Sequence, residues 1–335
     1  MNIGVIGAGR IGKVHAENLV LRIQETNVVA IADVIVSAAQ ETAKRLNIPK
    51  ATADYHDLLN SPDIEAVVIC SATDTHTQII IEAAQAGKHI FCEKPIDLNL
   101  KRIDEALAAV AKAGVKLQIG FNRRFDPNYR RIRQAVESGE IGSPYRLNII
   151  SRDPAPPPIS YVKVSGGIFV DMTIHDFDMA RFLIGSDVEE IYTAAAVMID
   201  PAIGEAGDVD TAVITLKFAN GVIGMIDNCR KAVYGYDQRA EVFGSGGSAS
   251  TENNYPNSAT ISTAQNIRRD LPLNFFVERY TESYRLEMLA FVDAVLHDKP
   301  VPVSGADGRA PVVMGIAARK SYDENRPVKL SEITA

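Results

Sequence analysis

Read from its first residue, the chain points to two structural parts. An N-terminal α/β part holds a parallel, doubly wound sheet, and a C-terminal α+β part holds a large, mainly antiparallel open sheet. Up to about residue 120, short β-branched runs alternate with helical patterns, the arrangement that builds a parallel sheet with covering helices. Beyond Gly120 the strands lengthen and alternate apolar with polar residues, as in a sheet with one face in water. A length of 335 residues, at roughly 150 per domain, also makes about two domains.

In the first part, residues 2–6, 28–32, 66–70, 89–92 and 115–119 are nearly continuous in apolar residues, as strands covered on both faces are. Between the last two, Leu100, Ile103, Leu107 and Val110 recur at helical steps behind Asn99, a good N-cap, and Gly114 stands where that helix should stop. In the second part, alternating strands are expected at residues 145–150, 191–198, 211–218, 222–226 and 240–243, with Asn220-Gly221 forming a tight hairpin turn. Helical patterns at 127–138, 167–183, 282–296 and about 310–323 would pack against that sheet.

Composition removes several classes of function. Lys plus Arg number 35 against 42 Asp plus Glu, a net charge of -7 with no sustained basic block, which excludes a nucleic-acid surface as the first reading. Cys70, Cys92 and Cys229 lie far apart with no C-x-x-C pair, so neither a disulfide framework nor a zinc ribbon is expected, and a reducing cytoplasm fits. No apolar run reaches the ~20 residues of a membrane helix, and no basic leader precedes the first strand.

The first strand runs into Gly7-Ala8-Gly9-Arg10-Ile11-Gly12, followed by a helical pattern. Gly7 permits the tight turn, Gly9 lets backbone approach a pyrophosphate, and Gly12 allows close helix packing, while the helix N-terminus offers N–H groups to the anion. Asp33 ends the second strand, where a carboxylate can bond both ribose hydroxyls. Val34 and Ile35 follow it with no cation for a 2′-phosphate, so NAD is expected over NADP. Residues 1–120 thus read as an NAD-binding, Rossmann-type domain and residues 121–335 as the domain that binds substrate. Ser71, Ala72 and Thr73 beyond the third strand are small and leave room for the middle of the cofactor. His76 either contacts it or caps the next helix. The fourth strand ends in Phe91-Cys92-Glu93-Lys94-Pro95. Glu93 and Lys94 then lie at the sheet's carboxyl edge close to where a nicotinamide would sit, where Lys94 can polarise a substrate oxygen or is a surface lysine paired with Glu93. Asn122 and Arg123, just past the fifth strand, could reach the cofactor and a hydroxylated substrate.

The second part supplies its own polar cluster. On one helix over residues 167–183, Asp171, His175 and Asp178 would share a face at i, i+4 and i+7. A carboxylate one turn before a histidine orients the ring for general-base work. The same set could ligate a divalent ion, or could be a capped helix with a satisfied histidine. A nicotinamide site needs no metal, so none is expected. Tyr234 and Tyr236 offer phenolic donors or serve structure alone.

Together GVIGAGRIGKVHAENL, FCEKP, GFNRRFD, GGIFVDMTIHDFDMARF and YGYDQRAEVFG resemble the glucose–fructose oxidoreductase and inositol dehydrogenase (Gfo/Idh/MocA) family over almost the whole chain. The resemblance implies an NAD-dependent dehydrogenase oxidising a secondary hydroxyl of a polyol, myo-inositol first, with scyllo-inositol or another sugar as the alternative. A non-catalytic dinucleotide sensor is the alternative of another class. It implies Lys94, Asp171 and His175 as the catalytic group, and Arg123, Asp153, Asp178 and Tyr236 as the residues that bind the ring hydroxyls. It also implies a homo-oligomer, commonly a tetramer formed through the open sheet of the second domain.

Overall fold

The computed structural model describes all 335 residues, Met1–Ala335, and divides them into two compact units. The first holds Met1–Phe125 together with Glu282–Val312, and the second holds Asp126–Thr281 together with Val313–Thr334. The expected boundary near residue 120 is therefore five residues early, and the expectation that everything beyond it forms one domain is corrected.

In the first unit the elements run β1 (Asn2–Ile6), α1 (Arg10–Leu21), β2 (Asn27–Ala32), α2 (Val36–Leu46), β3 (Lys50–Thr52), α3 (His56–Leu59), β4 (Ala66–Ile69), α4 (Thr73–Gln85), β5 (His89–Glu93), α5 (Leu100–Ala113) and β6 (Leu117–Gly120). The six strands are parallel in the order β3-β2-β1-β4-β5-β6. All five expected strands are present. The sixth, β3, is a three-residue edge strand with no apolar run to announce it. Helix α5 opens on Asn99, whose side chain accepts from the Lys101 and Arg102 amides, and closes on Gly114 at φ 68°.

In the second unit the order is α6 (Pro127–Glu137), β7 (Pro144–Arg152), α7 (Ile159–Val162), α8 (Gly167–Asp171), α9 (Ile174–Ile184), β8 (Val188–Ala196), α10 (Pro201–Glu205), β9 (Thr211–Phe218), β10 (Ile223–Cys229), β11 (Asp237–Gly244), β12 (Gly247–Thr251), β13 (Thr260–Ser262), β14 (Ile267–Arg269) and α11 (Phe276–Arg279). Of the remaining elements, α12 (Thr281–Leu296) belongs to the first unit apart from its first residue, α13 (Gly305–Glu324) begins in the first unit and ends in the second, and β15 (Val328–Lys329) lies in the second. The sheet order is β12-β11-β7-β10-β9-β8-β15, with β7 and β10 parallel and the other pairs antiparallel. Helices α6 and α9 pack on one face of it.

Helix α12 does not cover the second sheet as the sequence reading expected. Its Met288, Phe291 and Val292 join Val5, Val68 and Phe91 in the core of the first unit. An apolar helical stripe states that a sheet is needed beneath it, and leaves open which sheet.

Candidate active site

In the first unit the expected cofactor residues gather at the carboxyl ends of β1, β4 and β5, where β1 lies between β2 and β4 and the strand order reverses. Gly7 has φ +103°, and a Cβ there would meet the Cys70 carbonyl oxygen at 2.5 Å. A Cβ at Gly12 would sit 2.0 Å from the Gly7 carbonyl oxygen. At Gly9 nothing lies within 4 Å of that position. Two glycines thus let the loop close on itself, and the third opens it to a ligand. Arg10 and Ile11 begin α1, whose first turn carries no side-chain cap. Its leading amides and its dipole are therefore available to a pyrophosphate, and the residues fit a dinucleotide.

The Asp33 carboxylate accepts the Ala8 amide at 2.6 Å through Oδ2 and the Ile35 amide at 2.8 Å through Oδ1. Each oxygen keeps a further lone pair for a ribose hydroxyl. Val34 and Ile35 are exposed and carry no charge. Ser71, Ala72 and Thr73 lead into α4, with Ala72 at the N-cap and the Ser71 hydroxyl 2.7 Å from that of Thr75.

His76 and Glu93, both expected at the cofactor, are buried side chains at that edge. His76 neither caps α4 nor reaches solvent. It is buried inside the helix, with Nδ1 2.8 Å from the Pro95 carbonyl oxygen and Nε2 3.1 Å from that of Ser71. Both partners only accept, and burial pushes the ring's pKa down, so the neutral ring donates through Nδ1 at the shorter contact. Glu93 is buried against His15, 2.7 Å from its Nε2. Lys94 follows Glu93, is half-buried, and is joined to Pro95 by a cis peptide bond. Asn122 and Arg123 lie buried in a single 3₁₀ turn, Asn122–Phe125, just beyond β6.

In the second unit β7 and β10 end side by side, with Ser151 opposite Asn228 and Arg152 opposite Cys229. Strand β11 begins with Asp237 opposite Arg152. Asp153, Arg230 and Tyr236 therefore stand at one edge of the sheet. Tyr236 is buried, edge-on to Tyr280 at 6.1 Å. Tyr234 donates to Asp237 at 2.6 Å and accepts from Arg152 at 3.0 Å, so its hydroxyl serves the sheet edge itself.

The continuous helix expected over residues 167–183 is broken. Helix α8 ends at Asp171 and α9 begins at Ile174, so Asp171 does not share an unbroken helical face with His175 and Asp178. The cause is local competition for hydrogen bonds. The Thr173 hydroxyl donates to Asn228 Oδ1 at 2.6 Å and lies 3.1 Å from the Ile168 carbonyl oxygen. Asn228 Nδ2 also donates to Asp176 Oδ2 at 2.8 Å, so β10 grips the chain on both sides of His175.

Asp171 accepts from the Tyr161 hydroxyl at 3.0 Å and from Arg230 Nη1 at 3.2 Å. Burial, reinforced by the Asp171 charge, holds the Tyr161 phenol well above its ordinary range. Arg230 is almost wholly buried and also faces Asp208 at 3.5 Å, while Asp208 accepts the Ile168 amide that opens α8. Asp178 is fully buried on α9. Sequence reasoning missed Tyr161, Asn228 and Arg230. The one available signal was that Asn228 and Arg230 are polar residues two apart at the end of an alternating strand.

Comparison with known proteins bears on both units. The family description "Oxidoreductase family, NAD-binding Rossmann fold" matches residues 1–121, and the GFO/IDH/MocA C-terminal domain matches residues 129–250. The chain is 50% identical over 333 residues to a myo-inositol 2-dehydrogenase of Thermotoga maritima, covering 99% of both chains. It is 45% identical to an inositol 2-dehydrogenase of Rhizobium meliloti, again with 99% of each covered. The crystal structure of scyllo-inositol dehydrogenase from Lactobacillus casei with bound NAD(H) and scyllo-inositol superposes with a TM-score of 0.92 at 30% identity, over 99% of each chain.

Proposed function

From the premise that this chain belongs to the Gfo/Idh/MocA oxidoreductase family and carries its NAD-binding Rossmann fold, we propose that it is an NAD-dependent inositol 2-dehydrogenase. It oxidises a secondary hydroxyl of myo-inositol to the ketone. The observation that carries this reading is the full-length likeness to the Thermotoga maritima enzyme, in a chain whose Lys94 directly follows β5 at the edge that bears the glycine loop.

NAD, when bound, accepts the hydride from the carbon that bears the hydroxyl. Gly7 to Gly12 and Asp33 hold the dinucleotide, with Ser71, Ala72, Thr73 and Asn122 beside it. Glu93 and His76, buried at the same edge, complete the cofactor side of the site. His175 takes the hydroxyl proton while Lys94 steadies the charge that develops on oxygen. Asp171 completes this group, itself fixed by Tyr161 and Arg230. Arg123, Asp153, Asp178 and Tyr236 bind the remaining ring hydroxyls. Hydride and proton together account for the two hydrogens lost, and none of this requires a metal.

The exposed face of the second unit's sheet would be covered by further copies of the chain in a homotetramer. A cytoplasmic setting agrees with three free cysteines, and the proposed oxidation of myo-inositol suits a catabolic role. A scyllo-inositol dehydrogenase is the second reading, favoured by the likeness to the Lactobacillus casei structure. NAD reduction followed with myo-inositol, scyllo-inositol and glucose side by side decides between them, and no reduction with any of the three would favour the non-catalytic sensor. General-base assistance is worth about 10²–10⁴ in rate, so His175→Ala should lower kcat by that order and leave NAD affinity nearly unchanged. Undiminished turnover in that variant would remove His175 from its role.

A further inference from the structure

His15 on α1, Glu93 at the end of β5 and Glu287 on α12 meet in the interior of the first unit, and their ligand-type atoms all lie within 4.8 Å of one another. His15 Nε2 is 2.7 Å from Glu93 Oε1 and 3.9 Å from Glu287 Oε1. The imidazole is clamped edge-on by Phe91 at 5.1 Å and Tyr284 at 5.7 Å. Its Nδ1 has no partner, so the ring proton belongs on Nε2, donated to Glu93. Gly120 on the neighbouring strand makes room for this arrangement, since a Cβ there would come within 3.0 Å of the Glu93 carboxyl.

Glu287 is fully buried, and neither carboxyl oxygen has a hydrogen-bond partner. Burial, with the Glu93 charge second, pushes its pKa well above the ordinary carboxylate range, so it stands as the neutral acid. The other titratable groups facing the cluster are the buried thiols of Cys70 and Cys92, both pushed up by burial and then by Glu93, the Tyr284 phenol whose ring flanks His15, and His76, whose ring feels the Glu93 charge but is pushed down by burial. The 2.7 Å separation is that of a hydrogen bond. Two ligands held about 2.1 Å from one ion would stand farther apart.

Buried polar groups left without partners are costly, and clusters of them call for an explanation in use. Glu93 immediately precedes Lys94, and successive side chains of a strand point to opposite faces. Lys94 is anchored on its other side too, because the Pro95 carbonyl accepts from His76 of α4. The lysine thus stands between a tie to the helix that receives the dinucleotide and a tie to α4.

We propose that His15 and Glu93, backed by Glu287, are positioning residues for Lys94, fixing the end of β5 to the dinucleotide helix so that the lysine is presented at one place. This rests on the reading of Lys94 as a participant in the reaction. A displacement of about 1 Å can cost on the order of 10²-fold in rate. Cutting the tie should therefore reduce turnover and spare binding.

The test uses the full chain and the polyol it oxidises, with NAD affinity measured by calorimetry and folding checked by circular dichroism. Glu93→Gln and His15→Phe should each lower kcat by about 10- to 100-fold with little change in NAD Kd or polyol KM, and the double variant should be no worse than either. In a Lys94→Ala background, adding Glu93→Gln should change kcat less than about twofold, since coupled residues do not add. Should His15→Phe fail to fold, Glu93→Asp, which keeps the charge and withdraws the carboxyl, supplies a second cut. Unchanged kcat, kcat and NAD affinity falling together, or the full Glu93→Gln loss persisting without Lys94 would each overturn the proposal, as would a stoichiometric divalent ion on the purified protein. Wild-type turnover in Lys94→Ala alone would instead overturn the reading of Lys94, and is told apart because it appears with Glu93 intact.

Discussion

Asp33 does two things with one carboxylate. It closes the glycine loop by accepting the Ala8 amide and turns the chain after β2 by accepting the Ile35 amide, and its outward lone pairs remain for a ribose diol. The two roles are linked, because the group proposed to bind the ribose is held in place by the loop proposed to bind the pyrophosphate. Each hydrogen bond to a charged acceptor is worth roughly 1.5–3 kcal/mol, so replacing Asp33 by Ser should raise the KM for NAD by about 10- to 100-fold. The same change removes the charge that repels a 2′-phosphate, so the ratio of NADP to NAD activity should rise. Steady-state kinetics with both cofactors checks this, and an unchanged ratio would show that discrimination lies elsewhere. Asp33 was readable from its place after a short apolar strand. Arg230 was not, because its carboxylate partners Asp171 and Asp208 arrive from distant stretches of the chain.

Elements set by local rules follow the sequence closely. Asn99 and Gly114 bound α5 as their capping chemistry requires, and the Asn220-Gly221 turn joins β9 to β10 as an antiparallel pair. Elements whose course depends on distant partners do not. The break between α8 and α9 needs Asn228 to take up the Thr173 hydroxyl, and the periodicity of 167–183 contains no sign of it. Helix α12 shows the same limit, since its stripe gives no choice of sheet and the buried Glu287 reads as an ordinary helical glutamate. That residue has a consequence for stability. In the unfolded chain Glu287 ionises near 4.5, while in the folded chain it keeps its proton to a much higher pH. The folded state then binds more protons than the unfolded one, so stability is greatest in acid and declines as pH rises above that value. The slope of this single group is at most about 1.4 kcal/mol per pH unit, or roughly a few degrees in Tm. Glu287→Gln removes the titration and keeps the shape, so its Tm should gain on wild type progressively between pH 5 and pH 8. Melting curves that stay parallel over that range would show that Glu287 ionises in the fold as it does in the open chain.

At the scale of the whole molecule, the second unit's sheet has one face covered by α6 and α9 and the other exposed. Register places Phe243, Arg146, Ile223 and Lys217 in one row across β11, β7, β10 and β9, and Glu241, Asn148, Met225, Thr215 and Tyr192 in the next. Phe243, Ile223, Met225 and Tyr192 are exposed there, and Val213 joins them on the same face. Monomeric soluble proteins rarely leave such contiguous apolar surface in water. Charges of both signs are interspersed, with Arg146 3.6 Å from Glu241, and a face that carries both signs can meet its own copy about a two-fold axis. A basic or acidic partner of another kind would select one sign. The face therefore suits a second copy of the chain, and pairing of such dimers would give the tetramer. Sedimentation at micromolar concentration should find four times the chain mass. Met225→Arg, at the centre of the face, places an unpaired charge where the copies would meet, and should yield smaller species with circular dichroism unchanged. A wild-type chain that sediments as a monomer under those conditions would leave the apolar rows without this explanation.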